Sequence, residues 1–314
     1  MTVAAKVIAT ERGPRPRYLQ SMSRNVLVPF DGAAQSESAL RYAIASFPGA
    51  TITALYVVDL IGDATLDAAP IDDQRDELER RGREILDRAE FIGEDADASV
   101  ETVLEVGVPH RNVIDYATDQ AVDHVVIGGH GRSSTPHPFL GKVSETVVLR
   151  SPVTMTVVPL NSTEFESYDP AGQVLVPVDG SPQSTAALEY AVARFPDADV
   201  TALHVVGLPF EYSTDELAGS AFERFLSGLT ERGESVLEST IDDAALDGTA
   251  VETELTYGKP PQSIVDFATA GGFDQVVMGF HGRSRASRFL TGSVAETVAR
   301  RASVPLTLIR DGRE

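Results

Sequence analysis

The chain repeats itself over the length of a whole domain. Residues 25–32 read NVLVPFDG, and residues 173–180 read QVLVPVDG, 148 positions later. From Gly107 and Gly258 onward the matches continue at a separation of 151, which one short insertion in the second copy explains. Two copies of about 140 residues indicate a duplicated domain rather than the short unit of a solenoid.

Each copy alternates short apolar segments with amphipathic ones. The first copy predicts strands over 26–30, 51–58, 99–106, 124–127 and 153–158, and the second copy repeats the order. Five buried strands alternating with four helices indicate a doubly wound α/β domain. Right-handed crossovers then predict a Rossmann-like domain in each copy, with a parallel five-stranded sheet in the order 3-2-1-4-5.

The repeat divides the chain into a basic tail over residues 1–23, a first domain over 24–159, a linker over 160–172 and a second domain over 173–311. The first 24 residues hold five basic residues and one acidic residue. They contain no sustained apolar run and are a poor secretory signal. This segment is either a mobile basic tail or an extension that precedes a true start at Met22.

Charge limits the classes of partner. The chain has 47 acidic and 26 basic residues, a net charge of −21, which argues against binding to nucleic acid polymers or anionic membranes. No apolar run is long enough for a transmembrane helix, and no cysteine is present for thiolate chemistry. We expect a cytoplasmic protein. Only three of the 26 basic residues are lysines, and an acidic, lysine-poor chain suggests a halophile.

The predicted sheet order places strands one and four side by side, with a crevice at their carboxyl ends. Strand one ends in Asp31 or Asp179, and strand four of the second copy leads into Gly279-x2-Gly282-x9-Gly292-Ser293. Glycines let backbone N–H groups approach a phosphate, and a helix N-terminus favours negative charge. The loops over 129–142 and 281–293 contain basic residues and no acidic ones.

Two simpler interpretations stay open. The arginines of the two loops either are solvated side chains without a ligand, or they attract an anion despite the negative charge of the rest of the chain. The two strand-end aspartates cap the following helix, or they face the crevice, and the two roles are compatible.

These motifs together are similar to the universal stress protein family in its tandem form, over residues 24–310. The resemblance implies membership of the ATP-binding branch. It places Asp179 against the adenosine and the backbone of Val205 against adenine. The full candidate set in the second copy is Pro177, Asp179, Val205, Gly279, Gly282, Arg283, Gly292, Ser293 and Val294. The corresponding set in the first copy is Pro29, Asp31, Val57, Gly128, Gly131, Arg132, Gly141, Lys142 and Val143.

The first copy departs from the family motif at one position. Lys142 stands where the family has Ser or Thr, so it supplies charge but no hydroxyl. We therefore expect the second copy to be the better nucleotide site. No catalytic constellation and no protein metal site emerge from the sequence, and any Mg²⁺ or Mn²⁺ would arrive with ATP.

The leading hypothesis is an ATP-binding stress-response protein that regulates through conformation or protein partners that the sequence does not identify. The alternatives are a slow ATPase and a nucleotide-free protein-interaction module. The two copies are expected to pack as an internal pseudo-dimer, and a further homo-oligomer stays open.

Overall fold

The computed structural model describes residues 3–8, 25–60, 71–129, 140–159, 172–207, 220–246, 248–280 and 294–310. One strand precedes the first copy, β1 (Val3–Ile8). The elements of the first copy are β2 (Asn25–Pro29), α1 (Ala34–Ser46), β3 (Thr51–Val58), α2 (Ile71–Asp95), β4 (Val100–Val106), α3 (Pro109–Asp119), β5 (His124–Gly128), α4 (Lys142–Arg150) and β6 (Thr154–Val158). Those of the second copy are β7 (Gln173–Pro177), α5 (Pro182–Arg194), β8 (Asp199–Val206), α6 (Ser220–Asp243), β9 (Ala250–Tyr257), α7 (Pro260–Ala270), β10 (Gln275–Gly279), α8 (Val294–Arg301) and β11 (Leu306–Ile309).

Each copy forms a parallel sheet of five strands. The strand order is β4-β3-β2-β5-β6 in the first copy and β9-β8-β7-β10-β11 in the second. Both correspond to 3-2-1-4-5, so the doubly wound fold predicted from the alternation of strands and helices is confirmed. Strand one therefore lies beside strand four in each copy, as a crevice at the topological switch point requires.

The two sheets are continuous with each other. Strand β6 pairs with β11 in the antiparallel sense, with Thr156 opposite Thr307, and the result is one sheet of eleven strands. Strand β1 pairs antiparallel with β9 at the far edge of the second copy, from Val3 opposite Leu255 to Ile8 opposite Ala250. Part of the segment read from sequence as a tail is thus a strand. Its valines and isoleucine favour the extended backbone, and an edge strand offers unpaired backbone groups.

Alternation along the strands sends successive side chains into different cores. Val26 and Val28 pack beneath helices α1 and α2 in a cluster that belongs to the first copy, and a separate cluster in the second copy contains Val174 and Val176. Leu27 points to the opposite face and joins a cluster that includes residues of both copies. The copies therefore share a hydrophobic core on one face of the sheet and keep separate cores on the other.

Candidate functional site

An Asp-Gly turn ends strand one in each copy. Oδ1 of Asp179 accepts hydrogen bonds from the Ser181 amide at 3.0 Å and from the Ser181 hydroxyl at 2.6 Å. Oδ1 of Asp31 accepts from the Ala33 amide at 3.0 Å. Gly180, at φ +79°, has the left-handed backbone that glycine adopts without strain. The turn holds each carboxylate at the carboxyl end of its strand.

The proposal that these aspartates cap the following helix is wrong. The N-cap of α5 is Ser181, whose hydroxyl oxygen accepts from the Ser184 amide at 3.2 Å. The N-cap of α1 is Ala33, whose side chain makes no capping bond. The chain needs two further residues after each aspartate before helical geometry begins, so the cap falls beyond the carboxylate. Both aspartates stay at the strand ends that line the crevice.

Hydrogen bonding keeps Asp179 ionised. Partial desolvation by the surrounding chain would by itself raise the pKa of Asp179. The bonds from the Ser181 hydroxyl and amide favour the charged form and outweigh that effect, so the pKa lies below its ordinary value. The second copy therefore presents a fixed negative charge at the end of β7 at neutral pH.

The glycine that ends strand four has a packing role that sequence reasoning missed. A Cβ added to Gly279 would lie 2.5 Å from the carbonyl carbon and oxygen of Gln183, in the first turn of α5. A Cβ on Gly128 would lie 2.8 Å from the same atoms of Gln35 in α1. Each glycine lets the helix after strand one approach strand four closely. The phosphate role inferred for these two residues has to be compatible with that contact.

The start of α4 is tied to the end of β5. The Gly141 amide donates to the Gly129 carbonyl oxygen at 2.8 Å, and the Ser144 hydroxyl donates to the Gly128 carbonyl oxygen at 2.8 Å. Gly141 is the N-cap of α4, and Lys142 is its exposed first residue, followed by half-buried Val143. In the second copy, exposed Val294 begins α8. The other predicted loop residues lie outside the described residues: Gly131, Arg132, Gly282, Arg283, Gly292 and Ser293.

The predicted adenine-contacting valines lie within strand two. Val57 and Val205 are each 9% exposed, and their side chains belong to the shared core. The preceding residue in the second copy, His204, was missed by sequence reasoning. Its Nδ1 lies 2.8 Å from the carbonyl oxygen of Val178, just after β7, and so links the ends of strands one and two. Pro29 and Pro177 complete strand one of each copy.

In the first copy, several basic side chains act on His110, an arrangement that sequence reasoning also missed. Burial lowers the pKa of His110, and the positive charges of Arg111, Arg150 and Lys142 lower it further, while Asp59 opposes them. These three cations therefore each act on His110, at the start of α3. The positions equivalent to His110, Arg111 and Asp59 in the second copy are Pro261, Gln262 and Gly207. Aligning the two copies residue by residue would have found the difference.

The described part of the chain holds neither a metal-binding cluster nor a membrane-spanning helix. No group of three or more His, Asp or Glu side chains there is arranged to hold a metal ion. No helix among those residues combines the length and apolar character needed to cross a bilayer.

Two doubly wound α/β units, each with an acidic strand end beside a glycine-terminated strand, define a tandem Rossmann-like protein. The model of the universal stress protein family matches residues 22–159 and again residues 171–310. The chain belongs to the universal stress protein family.

Two of the similar proteins match this chain over nearly its whole length, and a third matches about half of it. Universal stress protein Rv2005c of Mycobacterium tuberculosis is 28% identical over 309 residues, which cover 91% of this chain and 96% of that protein. The crystal structure of a universal stress protein from Archaeoglobus fulgidus is 23% identical, covers 93% of this chain and 98% of that one, and superposes with a TM-score of 0.64. A solved universal stress protein in complex with cAMP is 22% identical and covers 45% of this chain and 99% of its own, with a TM-score of 0.30.

Proposed function

We propose that this universal stress protein binds ATP in the crevice of its second copy and acts as a regulatory, stress-response nucleotide-binding protein. The observation that carries the proposal is the placement of ionised Asp179 at the end of strand one, beside the strand that leads into Gly279-x2-Gly282-x9-Gly292-Ser293. The crevice of an open α/β sheet at this switch point is where such folds bind ligands.

Each group in the second copy has a chemical role in the proposal. The carboxylate of Asp179 accepts hydrogen bonds from the adenosine portion, and the backbone of Val205 contacts adenine. The glycines of the loop bring backbone N–H groups to the phosphates, together with the Ser293 hydroxyl, Val294 at the start of α8 and the Arg283 guanidinium.

The first copy is proposed as a weaker site. Asp31, the Val57 backbone and Gly141 occupy the equivalent positions, but Lys142 replaces the hydroxyl of Ser293. The cations near His110 favour an anion there, whereas the missing hydroxyl removes one phosphate contact. Two unequal sites are therefore expected.

Binding without rapid turnover fits the residues best. ATP hydrolysis needs a group that orients water and charge that stabilises the transferring phosphoryl group. Oδ1 of Asp179 is already engaged by the Ser181 amide and hydroxyl, which makes this carboxylate a poor base for orienting water. A slow ATPase and a nucleotide-free interaction module are the competing functions.

Calorimetric titration with ATP, ADP, AMP and cAMP tests the proposal. The protein is first stripped of nucleotide, and mass spectrometry identifies what was retained. Ser293→Ala and Gly282→Val should each weaken ATP binding about tenfold or more, which is about 1.4 kcal/mol or more. Ser227→Ala is the matched control because its exposed hydroxyl bonds only the Arg224 carbonyl oxygen within α6. Unchanged ATP affinity in both loop variants would show that the site is elsewhere. Phosphate release by the same variants distinguishes binding from slow hydrolysis.

The cellular setting is part of the proposal. The acidic, lysine-poor composition favours a cytoplasm with high salt, where ions screen self-repulsion. The free energy of unfolding should rise with KCl concentration. Full stability in dilute buffer would contradict this.

A further inference from the structure

We call the boundary between the two copies the seam. A chain of hydrogen bonds crosses it. The Tyr42 hydroxyl on α1 donates to Oε1 of Gln275 at 3.0 Å, and Nε2 of Gln275 donates to the Thr307 hydroxyl at 3.0 Å. That hydroxyl lies 2.8 Å from the hydroxyl of Thr156, which lies 2.9 Å from Nε2 of His124. All five side chains are buried. The seam is therefore a specific polar contact as well as an apolar one.

The repeat makes the seam nearly symmetric. Thr156 and Thr307 are equivalent residues, 151 positions apart, and they lie opposite each other at the centre of the β6–β11 pairing. A pseudo-two-fold axis thus passes through this pair. Each position at the seam in one copy has an equivalent position in the other copy. Where the residues at two equivalent positions differ, a contact can be made from one copy and not from the other.

Three arginines of the second copy reach into the first copy. The Arg194 guanidinium lies 4.6 Å from the centre of the Phe47 ring. Arg300 bonds Glu145 of the first copy and also Glu296 of its own helix, the latter at 2.7 Å. Nη2 of Arg310 donates to the Val148 carbonyl oxygen at 2.9 Å.

The first copy carries no arginine at the equivalent positions. Ser46 stands for Arg194, Leu149 stands for Arg300, and Pro159 stands for Arg310. The two carboxylates that Arg300 bonds, in contrast, occur in both copies, since Glu145 and Glu296 are equivalent residues. At these three positions, the cation therefore comes from the second copy.

We infer that the seam is an interaction surface for unlike halves, in which the second copy donates the arginines and the first copy accepts them. Two first copies brought together on the same surface would place two Glu145 carboxylates side by side with no arginine between them. Two second copies would bring two Arg194 guanidinium groups to one axis. Like charges brought together destabilise an interface, so each pair of like halves is disfavoured relative to the mixed pair.

The location of Arg194 supports this reading. Its charge acts on Tyr42, His124 and Tyr190, one of which lies in its own copy and two in the other. Burial raises the pKa of both tyrosines, and Arg194 opposes the rise. One guanidinium therefore acts on groups on both sides of the axis, and a second guanidinium there would bring a like charge next to it.

Relocating an arginine across the axis tests the inference in the full chain. Arg300→Leu removes the bonds of Arg300 to Glu145 and Glu296, and hydrogen exchange at the β6 and β11 amides should become about tenfold faster or more. The double variant Leu149→Arg with Arg300→Leu returns one arginine from the other side, and the protection should recover. Arg301→Leu is the matched control, because Arg301 bonds Gln262 within its own copy at 2.9 Å.

Comparisons between these variants decide whether the inference holds. Equal effects of Arg300→Leu and Arg301→Leu would overturn the inference, because the loss would then not be specific to the seam. Failure of the relocated arginine to restore protection would also overturn it. Ser46→Arg adds a second guanidinium at the axis and should lower the melting temperature by about 5 °C or more, whereas the uncharged Ser46→Gln should lower it less. Equal losses in these two variants would show a steric effect and contradict the charge argument.

Discussion

The hydroxyl of Ser181 donates a hydrogen bond of 2.6 Å to Oδ1 of Asp179, and the amide of Ser181 bonds the same oxygen. In the first copy the residue at the Ser181 position is Ala33, which offers its amide alone. The residue two positions after the aspartate therefore gives the second-copy carboxylate one hydrogen bond more than it gives the first-copy carboxylate. The difference separates the two crevices in a way that an experiment can measure.

Asp179→Asn should weaken ATP binding about tenfold, because an amide oxygen accepts more weakly than a carboxylate and the fixed charge is lost. Ser181→Ala should weaken it less, since the amide bond to Asp179 remains. Isothermal titration measures both. Asp199→Asn is the control, since exposed Asp199 begins β8 at the opposite end from the crevice. Wild-type affinity in Asp179→Asn would remove Asp179 from the site.

Gly279→Ala should lower the free energy of unfolding by about 1–3 kcal/mol, because the new Cβ meets the Gln183 backbone at 2.5 Å. Denaturant unfolding in high-salt buffer measures the change. Gly228→Ala in α6 is the control, since nothing lies within 4 Å of its added Cβ. That control should gain about 0.5–1 kcal/mol from helix propensity. Similar stability in the two variants would mean that α5 does not approach β10 as described.

Lys142, at the start of α4, should account for the difference in ATP affinity between the two sites. Lys142→Ser gives the first copy the hydroxyl of the family motif, and two sites of more similar ATP affinity are expected. Ser293→Lys should weaken the second copy toward the first. Titration of both variants with ATP gives the stoichiometry and the two dissociation constants. Two equal sites in the unaltered protein would contradict this prediction at once.

His124 should make stability depend on pH. Burial lowers the pKa of His124 to about 3, whereas an exposed histidine titrates near 6.5. Between these values the unfolded chain binds a proton that the folded chain does not, so stability falls as the pH decreases, by up to about 1.4 kcal/mol per pH unit. His124→Gln, which copies the residue at the equivalent position 275, should flatten the profile.

The reverse exchange supplies the counterpart. Gln275→His adds a second buried histidine and should steepen the loss of stability below pH 6.5. Urea unfolding at a series of pH values measures both slopes. Parallel profiles for His124→Gln and the unaltered protein would show that His124 is not buried in the neutral form.

Local patterns were sufficient for the fold of each copy. Alternating apolar strands and amphipathic helices, with right-handed crossovers, predicted the order 3-2-1-4-5, and the position of Asp179 at the end of strand one followed from the same pattern. The interpretation of Gly279 was incomplete, because the backbone of Gln183 that fills its vicinity comes from a helix almost 100 residues earlier in the chain. A glycine motif alone does not distinguish space for a ligand from space for a helix.

Contacts between the copies could not be read from either copy alone. The pairing of β6 with β11 depends on two edge strands meeting, and neither strand carries a local signal for its partner. The pairing of β1 with β9 has the same character, and so the whole of β1 was read as part of a tail. Aligning the two copies does show that Arg194 of the second copy corresponds to Ser46 of the first. That this arginine lies at the contact between the copies can be seen only once the pseudo-two-fold axis is known.

The antiparallel junction of β6 and β11 sets the direction in which the two crevices face. Strands of the first copy point one way along the sheet, and those of the second copy point the other way. Their carboxyl ends therefore lie on opposite rims of the molecule. Two bound nucleotides would be kept apart by the whole length of the strands, so their phosphates would not repel each other. A partner that recognises one occupied rim would leave the other rim free for a second partner.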